Sequence, residues 1–184
     1  MEKQNSLSKN RNICELLAPA GSKEAFIAAV ESGADAVYAG GNLFNARINA
    51  HNFELSEIEE AVRFAHKRNV KVYITINVLI KDEELLEALE YAKNLYEIGV
   101  DAIIVQDIGF ANLVRKHLPG FELHMSTQAS VFDKDGVYQA MDLGFSRVVP
   151  ARELSLAEIE TLCKETPCEI EVFCHGAICV CYSG

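Results

Sequence analysis

A short pattern that recurs three times along the chain constrains its fold more than any other feature. Gly33, Gly99 and Gly144 each follow the end of a helix-like segment and precede a short β-rich run. A glycine in that place can adopt positive φ and end the helix, so that the β-rich run starts the next strand. The pattern predicts repeated βα units, with strands at Cys14–Ala20, Ala34–Ala39, Lys71–Asn77, Ala102–Gln106, Glu122–Thr127, Arg147–Ala151 and Glu169–Cys174.

Two of the intervening helices carry a start signal. Ser56 with Glu59, and Ser155 with Glu158, have the spacing of a capping box, in which the serine is the N-cap. Apolar residues at helical spacing follow the first of these boxes. Strands that alternate with such helices across short loops predict a parallel sheet with right-handed crossovers.

The number of units indicates the type of sheet. A doubly wound sheet usually has five or six strands, whereas a TIM-type (β/α) barrel has eight and needs about 250 residues. The seven predicted strands in 184 residues favour an incomplete barrel that stops before its eighth unit. We expect residues 13–184 to form the N-terminal (β/α)-barrel domain of a longer protein and residues 1–12 to form a disordered tail.

An incomplete barrel exposes the edges of its first and seventh strands. Three arrangements are open: the two edges stay unpaired, they pair with each other in a seven-stranded closure, or a second copy of the chain covers them. We expect an open edge, through which a homo-oligomer could form.

Composition limits the class of partner and the compartment. The net charge of −10 argues against a broad nucleic-acid-binding face on this segment, because phosphate binding needs clustered lysine and arginine, but it leaves a local basic groove open. No apolar run approaches the roughly 18 residues of a membrane helix, and the polar start lacks the apolar core of a signal peptide. We therefore expect a cytoplasmic protein with no membrane partner. Its six cysteines are then expected to be core residues, metal ligands or redox thiols.

The last stretch of the chain, 169–184, combines a strand signal with reactive side chains. Its apolar residues Ile170, Val172 and Cys174 alternate with Glu171, Phe173 and His175. This alternation places the apolar set against the helices and directs Glu171 and His175 into the barrel interior, as candidate catalytic residues. His175 is the natural proton carrier. For Glu171, a buried ion pair with an arginine of the lumen is the alternative interpretation.

The segment Gly40–Leu55 is longer than a βα connection needs to be, and such loops are usually functional or disordered. Phe44 and Phe53 predict that it packs against the barrel. Between Gly40 and Phe53 it contains Arg47, His51 and four asparagines but no acidic residue. This composition favours a lid that recognises an anion, while a solvated loop with one arginine remains the alternative. Arg152, after the sixth predicted strand, is a second candidate for anion binding.

Several segments together resemble a known family. They are 15–21 (ELLAPAG), 35–40 (DAVYAG), 126–129 (STQA), 151–155 (ARELS), 171–173 (EVF), 175–179 (HGAIC) and 182–184 (YSG). The chain resembles the collagenase-like peptidase family U32 over about residues 13–184. The resemblance implies an often incomplete or elaborated barrel followed by further domains. It also implies an oxygen-independent hydroxylase that acts on tRNA, rRNA or the ubiquinone ring, with prephenate linked to the reaction on RNA.

The resemblance also implies a cofactor, a 4Fe–4S cluster held by four cysteines. Cys179 matches the first cluster cysteine of the family, and the other three positions fall beyond Gly184. Cys181 stands where relatives usually carry a small or aliphatic residue, and is at most an auxiliary ligand. We expect RNA to bind through regions outside this segment.

Within this hydroxylase interpretation, site residues take specific roles. Arg47 and Arg152 are expected to pair with the two carboxylates of prephenate, while Gln128 and Asn77 hold its ring hydroxyl or ketone oxygen. One alternative is a collagenase-like peptidase, for which Ser183 with His175 and Glu171 would have to form a triad. A second alternative is a non-catalytic partner domain, which the many polar strand ends do not favour.

Overall fold

The computed structural model describes residues 14–46, 52–176 and 183. Within them seven strands alternate with six helices. The strands are β1 (Leu17–Ala20), β2 (Ala36–Gly40), β3 (Lys71–Ile76), β4 (Ala102–Val105), β5 (Glu122–Met125), β6 (Arg147–Val148) and β7 (Glu169–Ile170). The helices are α1 (Lys23–Glu31), α2 (Leu55–His66), α3 (Leu85–Ile98), α4 (Ile108–His117), α5 (Lys134–Asp142) and α6 (Leu156–Glu165).

All strand pairs are parallel, and the spatial order of the strands follows the sequence from β1 to β7. Right-handed twist and short βα connections curl this sheet into most of a barrel. The predicted fold, an incomplete TIM-type barrel, is confirmed. In the described part of the chain β1 and β7 each pair on one side only, so the expected open edge is observed and the seven-stranded closure is not.

Several predicted strand bounds are too long. β1 begins at Leu17 instead of Cys14, β6 ends at Val148 instead of Ala151, and β7 ends at Ile170 instead of Cys174. The reason for the last error is the missing neighbour: β7 pairs only with β6, and the ladder ends once the N–H of Glu171 has reached the carbonyl of Val148 at 3.0 Å. The alternation in the sequence continues, but it has no strand left to pair with.

The turn chemistry is largely as predicted. Gly33, Gly99 and Gly144 have φ of 93°, 92° and 96°, the left-handed conformation expected at the ends of helices. Ser155 caps α6 in a capping box with Glu158.

The box predicted at Ser56 is wrong, because the N-cap of α2 is Glu54 and the helix starts two residues earlier than expected. Glu57 instead accepts a hydrogen bond from the backbone N–H of Glu54, at 3.0 Å. Glu57, two positions before the expected Glu59, therefore completes the capping box.

Alternate residues of each strand enter two different cores. One core lies between the sheet and the helices and holds most of the buried apolar side chains. The other fills the lumen with a small set, Ala36, Tyr73, Ala102 and Ile104, supported by Leu17 and Tyr38. The lumen positions of β5, β6 and β7 are instead polar and charged, with His124, Arg147 and Glu169. Among the described helices, none is long and apolar enough to cross a membrane.

Candidate functional site

A network of ion pairs occupies the lumen around Arg147, the first residue of β6. Its guanidinium donates to Glu15 at 2.7 Å, to Glu169 at 2.6 Å and to Glu171 at 3.4 Å. The Tyr73 hydroxyl donates to the same carboxylate oxygen of Glu15, at 2.9 Å. The Arg147 side chain is only 7% exposed. The ion pair with a lumen arginine, which was the alternative interpretation of Glu171, is therefore present.

The network shifts the protonation equilibria of its members. Burial favours the neutral form of Glu15, but hydrogen bonds from Arg147 and Tyr73 outweigh it and hold the pKa of Glu15 below its ordinary value. Burial raises the pKa of Glu171, since its single contact with Arg147 is the longest in the network. For Arg147, burial is outweighed by the carboxylates, so its pKa is raised and it stays charged.

A second polar pair lies beside this network. The imidazole of His124 is fully buried, its Nε2 lies 3.3 Å from a carboxylate oxygen of Glu122, and its ring stands edge-on to that of Tyr73. Ser146 Oγ donates to the same oxygen of Glu122, at 2.9 Å. The hydrogen bond with His124 lowers the pKa of Glu122 to about 2. Nδ1 of His124 has no hydrogen-bond partner in the described residues.

A cleft of about 580 Å³ opens between β1 and β7, where an eighth strand would stand in a complete barrel. Glu171 and His175, the two predicted catalytic residues, both line it. Glu171 points inward to Arg147, whereas His175 is exposed at the rim. Val172 is 45% exposed instead of packed against the helices, because β7 has ended before it. The cleft thus brings together the predicted catalytic pair, and their catalytic roles stay predictions.

The predicted substrate-binding residues lie at the carboxyl ends of other strands. Asn77 follows β3, and its side-chain oxygen accepts the N–H of Ala46 at 3.2 Å, which ties the long loop to the mouth of the barrel. Gln128 follows β5, and its backbone carbonyl accepts from the Gln106 side chain at 3.4 Å. The side-chain oxygen of Gln128 is buried and has no hydrogen-bond partner in the described residues. Its role in substrate binding stays a prediction.

Arg152 follows β6 and contacts the last part of the chain. Its backbone N–H and its Nε donate to Ser183 Oγ, at 3.1 and 3.0 Å. The N–H of Ser183 donates to Glu153 at 2.8 Å, and its carbonyl accepts from the hydroxyl of Ser130. Ser183 is buried and makes no described hydrogen bond with His175 or Glu171. These contacts hold Ser183 at the mouth of the barrel, and they do not form a serine triad.

The start and end of the long loop pack as predicted. Phe53 is buried, and Phe44 is partly buried against the outer core. Gly40 is required here, because a Cβ at that position would lie 1.9 Å from the side-chain nitrogen of Asn45. That nitrogen donates to Asn52 at 2.9 Å, across the base of the loop. Arg47, the predicted anion ligand in this loop, lies outside the described residues, as does His51.

The predicted cluster ligands Cys179 and Cys181 also lie outside the described residues. Of the described cysteines, Cys14, Cys163 and Cys174 are exposed and Cys168 is buried. The described part of the chain contains no group of three or more histidine, cysteine, aspartate or glutamate side chains that could hold a metal ion. The described residues alone therefore do not form a cluster site.

Sequence reasoning did not single out Arg147, Glu15 or His124. A signal was available, because each has the same strand parity as the lumen residues Leu17 and Tyr73. Titratable residues at lumen parity predict a polar layer in the barrel. Local sequence does not predict the contact across the lumen between Arg147 of β6 and Glu15, two residues before β1, because this contact depends on the curvature of the barrel.

Comparison with known proteins identifies the family. A profile of Peptidase family U32 matches residues 21–184. The chain is 45% identical to the 23S rRNA 5-hydroxycytidine C2501 synthase of Escherichia coli, over 92% of this chain and 25% of that protein. It is 42% identical to tRNA hydroxylation protein P1 of Bacillus subtilis, over 92% of this chain and 40% of that protein. The chain thus spans between a quarter and two fifths of the length of these curated relatives.

Structural comparison agrees at the level of the fold. The solved structure of the U32 peptidase Mk0906 superposes with a TM-score of 0.70 at 15% sequence identity, covering 92% of this chain and 72% of that chain. At this identity the superposition shows a shared barrel. Since the family profile matches most of the sequence and the barrel matches that of a U32 protein, the chain belongs to Peptidase family U32.

Proposed function

We propose that this chain is the barrel part of an RNA-modifying hydroxylase, which acts on tRNA or rRNA with prephenate as cosubstrate. The observation that carries this proposal is the identity of 45% and 42%, across 92% of the chain, with proteins named for rRNA and tRNA hydroxylation. The net charge of −10 is consistent with RNA binding through regions outside these residues.

Polar side chains at the mouth of the barrel support the proposal of a small oxygen-rich ligand. Amide side chains of Asn77, Gln106 and Gln128 follow three neighbouring strands, and amide groups can both donate to and accept from hydroxyl and ketone oxygens. Arg152 lies on the same face after β6, and guanidinium groups bind carboxylates through paired hydrogen bonds. In the proposal, Arg152 and Arg47 bind the two carboxylates of prephenate.

We further propose a 4Fe–4S cluster with Cys179 as one ligand and Cys181 as a possible auxiliary one. Such a cluster would supply one-electron chemistry to the hydroxylation. Anaerobic reconstitution with iron and sulfide should give a brown whole protein that contains about four irons. Cys179→Ala should lose the colour, whereas Cys163→Ala, a change at an exposed thiol on α6, should retain it. A colourless, iron-free wild-type protein would exclude the cluster.

The hydroxylation itself is tested in cells. In a bacterial strain that lacks its own RNA hydroxylation protein, expression of the wild-type protein should restore an oxygen-atom mass increase on nucleosides from digested tRNA or rRNA, measured by mass spectrometry. His175→Ala should abolish the restoration. RNA that stays unmodified, together with gelatin cleavage that Ser183→Ala abolishes, would favour the peptidase alternative instead.

The cosubstrate is tested by binding. Prephenate titrated calorimetrically into the protein should bind about ten- to hundredfold more weakly after Arg152→Ala or Arg47→Ala, because each loses a charge-assisted pair worth roughly 1.5–3 kcal/mol. Arg68→Ala, which removes a charge just before β3 at the opposite end of the sheet, is the matched control. Unchanged affinity in both test variants would show that these arginines do not bind the ligand.

A further inference from the structure

The side-chain amide of Asn77 is oriented by the backbone of the long loop. Its oxygen accepts the N–H of Ala46 at 3.2 Å. A backbone N–H can only donate, so the atom that it meets must be the amide oxygen, and the NH₂ group lies on the other side of the amide carbon. This nitrogen makes no hydrogen bond with a described residue and is not buried. Asn77 therefore offers only donors to a ligand at the mouth.

Buried polar contacts hold the loop next to Asn77. Asn45, the residue before Ala46, is 7% exposed. Oγ1 of Thr75 on β3 lies 3.3 Å from the side-chain oxygen of Asn45, and the side-chain nitrogen of Asn45 donates to Asn52 at 2.9 Å. These contacts fix the backbone of Ala46 beside β3, so the orientation of the Asn77 amide is set by the fold of the barrel mouth.

The neighbouring strand presents an amide of opposite polarity. β3 and β4 pair in register up to Ile76 and Val105. The next residues, Asn77 and Gln106, follow side by side with the strand parity of the lumen residues. Nε2 of Gln106 donates to the backbone carbonyl of Gln128 at 3.4 Å. A carbonyl can only accept, so in Gln106 the nitrogen is the bound atom and the oxygen is left for a ligand.

The proposed cosubstrate carries groups of both kinds. The ketone of prephenate can only accept a hydrogen bond, whereas its ring hydroxyl can donate one. A ketone at Asn77 would receive an N–H, but a ketone at the oxygen of Gln106 would face another acceptor with no hydrogen between them. An ammonium group in place of the ketone carries only donors, so it would meet the donors of Asn77 unfavourably. The polarity of the two amides therefore distinguishes a keto ligand from its amino counterpart.

We propose that Asn77 is a specificity-determining residue, whose amide nitrogen donates to the ketone oxygen of prephenate and selects this 2-oxo acid over the corresponding 2-amino acid. This role rests on the proposed function and adds an orientation to it. The ketone lies on the β3 side of the mouth, and the ring hydroxyl lies on the β4 side. Discrimination arises because the amino ligand leaves polar groups unpaired in its complex.

The test compares prephenate with arogenate, in which an ammonium group replaces the ketone and nothing else changes. Calorimetric titration into the whole wild-type protein should show that prephenate binds about tenfold more tightly or better. Asn77→Ala should weaken prephenate binding by about tenfold and change arogenate binding by less than about threefold. Asn77→Asp keeps an acceptor for Ala46 but presents an oxygen to the ligand, so it should reverse the preference.

The matched control is Asn112→Asp at an exposed position on α4, which makes the same change in net charge and should keep the preference for prephenate. Melting curves followed by circular dichroism check that the Asn77 variants are folded. Equal affinity of the wild-type protein for the two ligands, or a preference for prephenate that survives in Asn77→Asp, would overturn the role of Asn77 while leaving prephenate as a ligand. Binding of neither ligand to the wild-type protein would refute the proposed cosubstrate, and the role of Asn77 with it.

Discussion

Replacement of Arg147 by methionine should destabilise the protein more than the loss of any surface ion pair. Methionine keeps most of the volume of the side chain but leaves Glu171 buried without its cation and leaves Glu15 with Lys71 alone, at 3.3 Å. Removal of one partner from a buried ion pair typically costs about 3–5 kcal/mol. The third contact, to Glu169, adds little, because that side chain is 61% exposed and its charge is solvated.

We therefore expect Arg147→Met to lower the free energy of unfolding by about 3–4 kcal/mol at pH 7. For a chain of this size that corresponds to a fall in Tm of roughly 6–16 °C. Thermal unfolding followed by circular dichroism measures it. Lys134→Met, which breaks the exposed pair with Glu165, is the matched control and should cost less than about 1 kcal/mol.

Two further measurements test whether the loss of stability in Arg147→Met is electrostatic. In the Arg147→Met variant the carboxylates that have lost the guanidinium should take up protons at higher pH than in the wild-type protein, so the stability deficit should shrink as pH falls from 7 to 4. Adding Glu15→Gln to that variant should recover about 1–2 kcal/mol, because it removes one buried charge. A deficit no larger than that of Lys134→Met, or one that does not change with pH, would refute the reasoning.

Three other changes probe neighbouring parts of the barrel. Glu122→Gln should lower the free energy of unfolding by about 1 kcal/mol at pH 7, given that the carboxylate is 45% exposed. Because the pKa of Glu122 in the folded protein is lowered to about 2, the extra stability of the wild-type protein should be full above about pH 4.3 and should fade as pH falls toward 2. Urea unfolding at several pH values measures it. Gly41→Ala should cost about 1–3 kcal/mol, because its Cβ would lie 1.7 Å from the buried hydroxyl of Tyr91, and an unshifted melting curve would contradict this. Ser183→Ala should lower the free energy of unfolding by about 1 kcal/mol, because it removes the acceptor for Arg152; an unshifted melting curve would argue against this contact.

Local sequence signals were sufficient for the elements of the barrel but not for its interior. The glycine turns at 33, 99 and 144 and the capping box at Ser155 depend on neighbours within a few residues, and each is found where the pattern predicts it. The end of β7 depends on whether a partner strand is present, which lies beyond local sequence. Alternation continued to His175, but pairing stopped at Ile170.

For the candidate site, too, the sequence predicted the positions of the residues but not their contacts. Strand ends could be read from the sequence, so Asn77, Gln128 and Arg152 were placed at the mouth, and they lie after β3, β5 and β6. Their partners could not be read, because they come from distant loops. Asn77 binds the backbone of Ala46, 31 positions away, and Arg152 binds Ser183, also 31 positions away.

The position of the lumen network along the barrel bears on the role of Glu171. Arg147 and Glu169 open their strands, and Glu15 precedes β1, so the network fills the amino-terminal half of the lumen. In TIM-type barrels chemistry occurs at the carboxyl ends of the strands, while the opposite end serves stability. Glu171 belongs to the network through Arg147, whereas His175 lies four residues further on, past the end of β7. A mutation of Glu171 should therefore act mainly on stability, and a mutation of His175 mainly on activity.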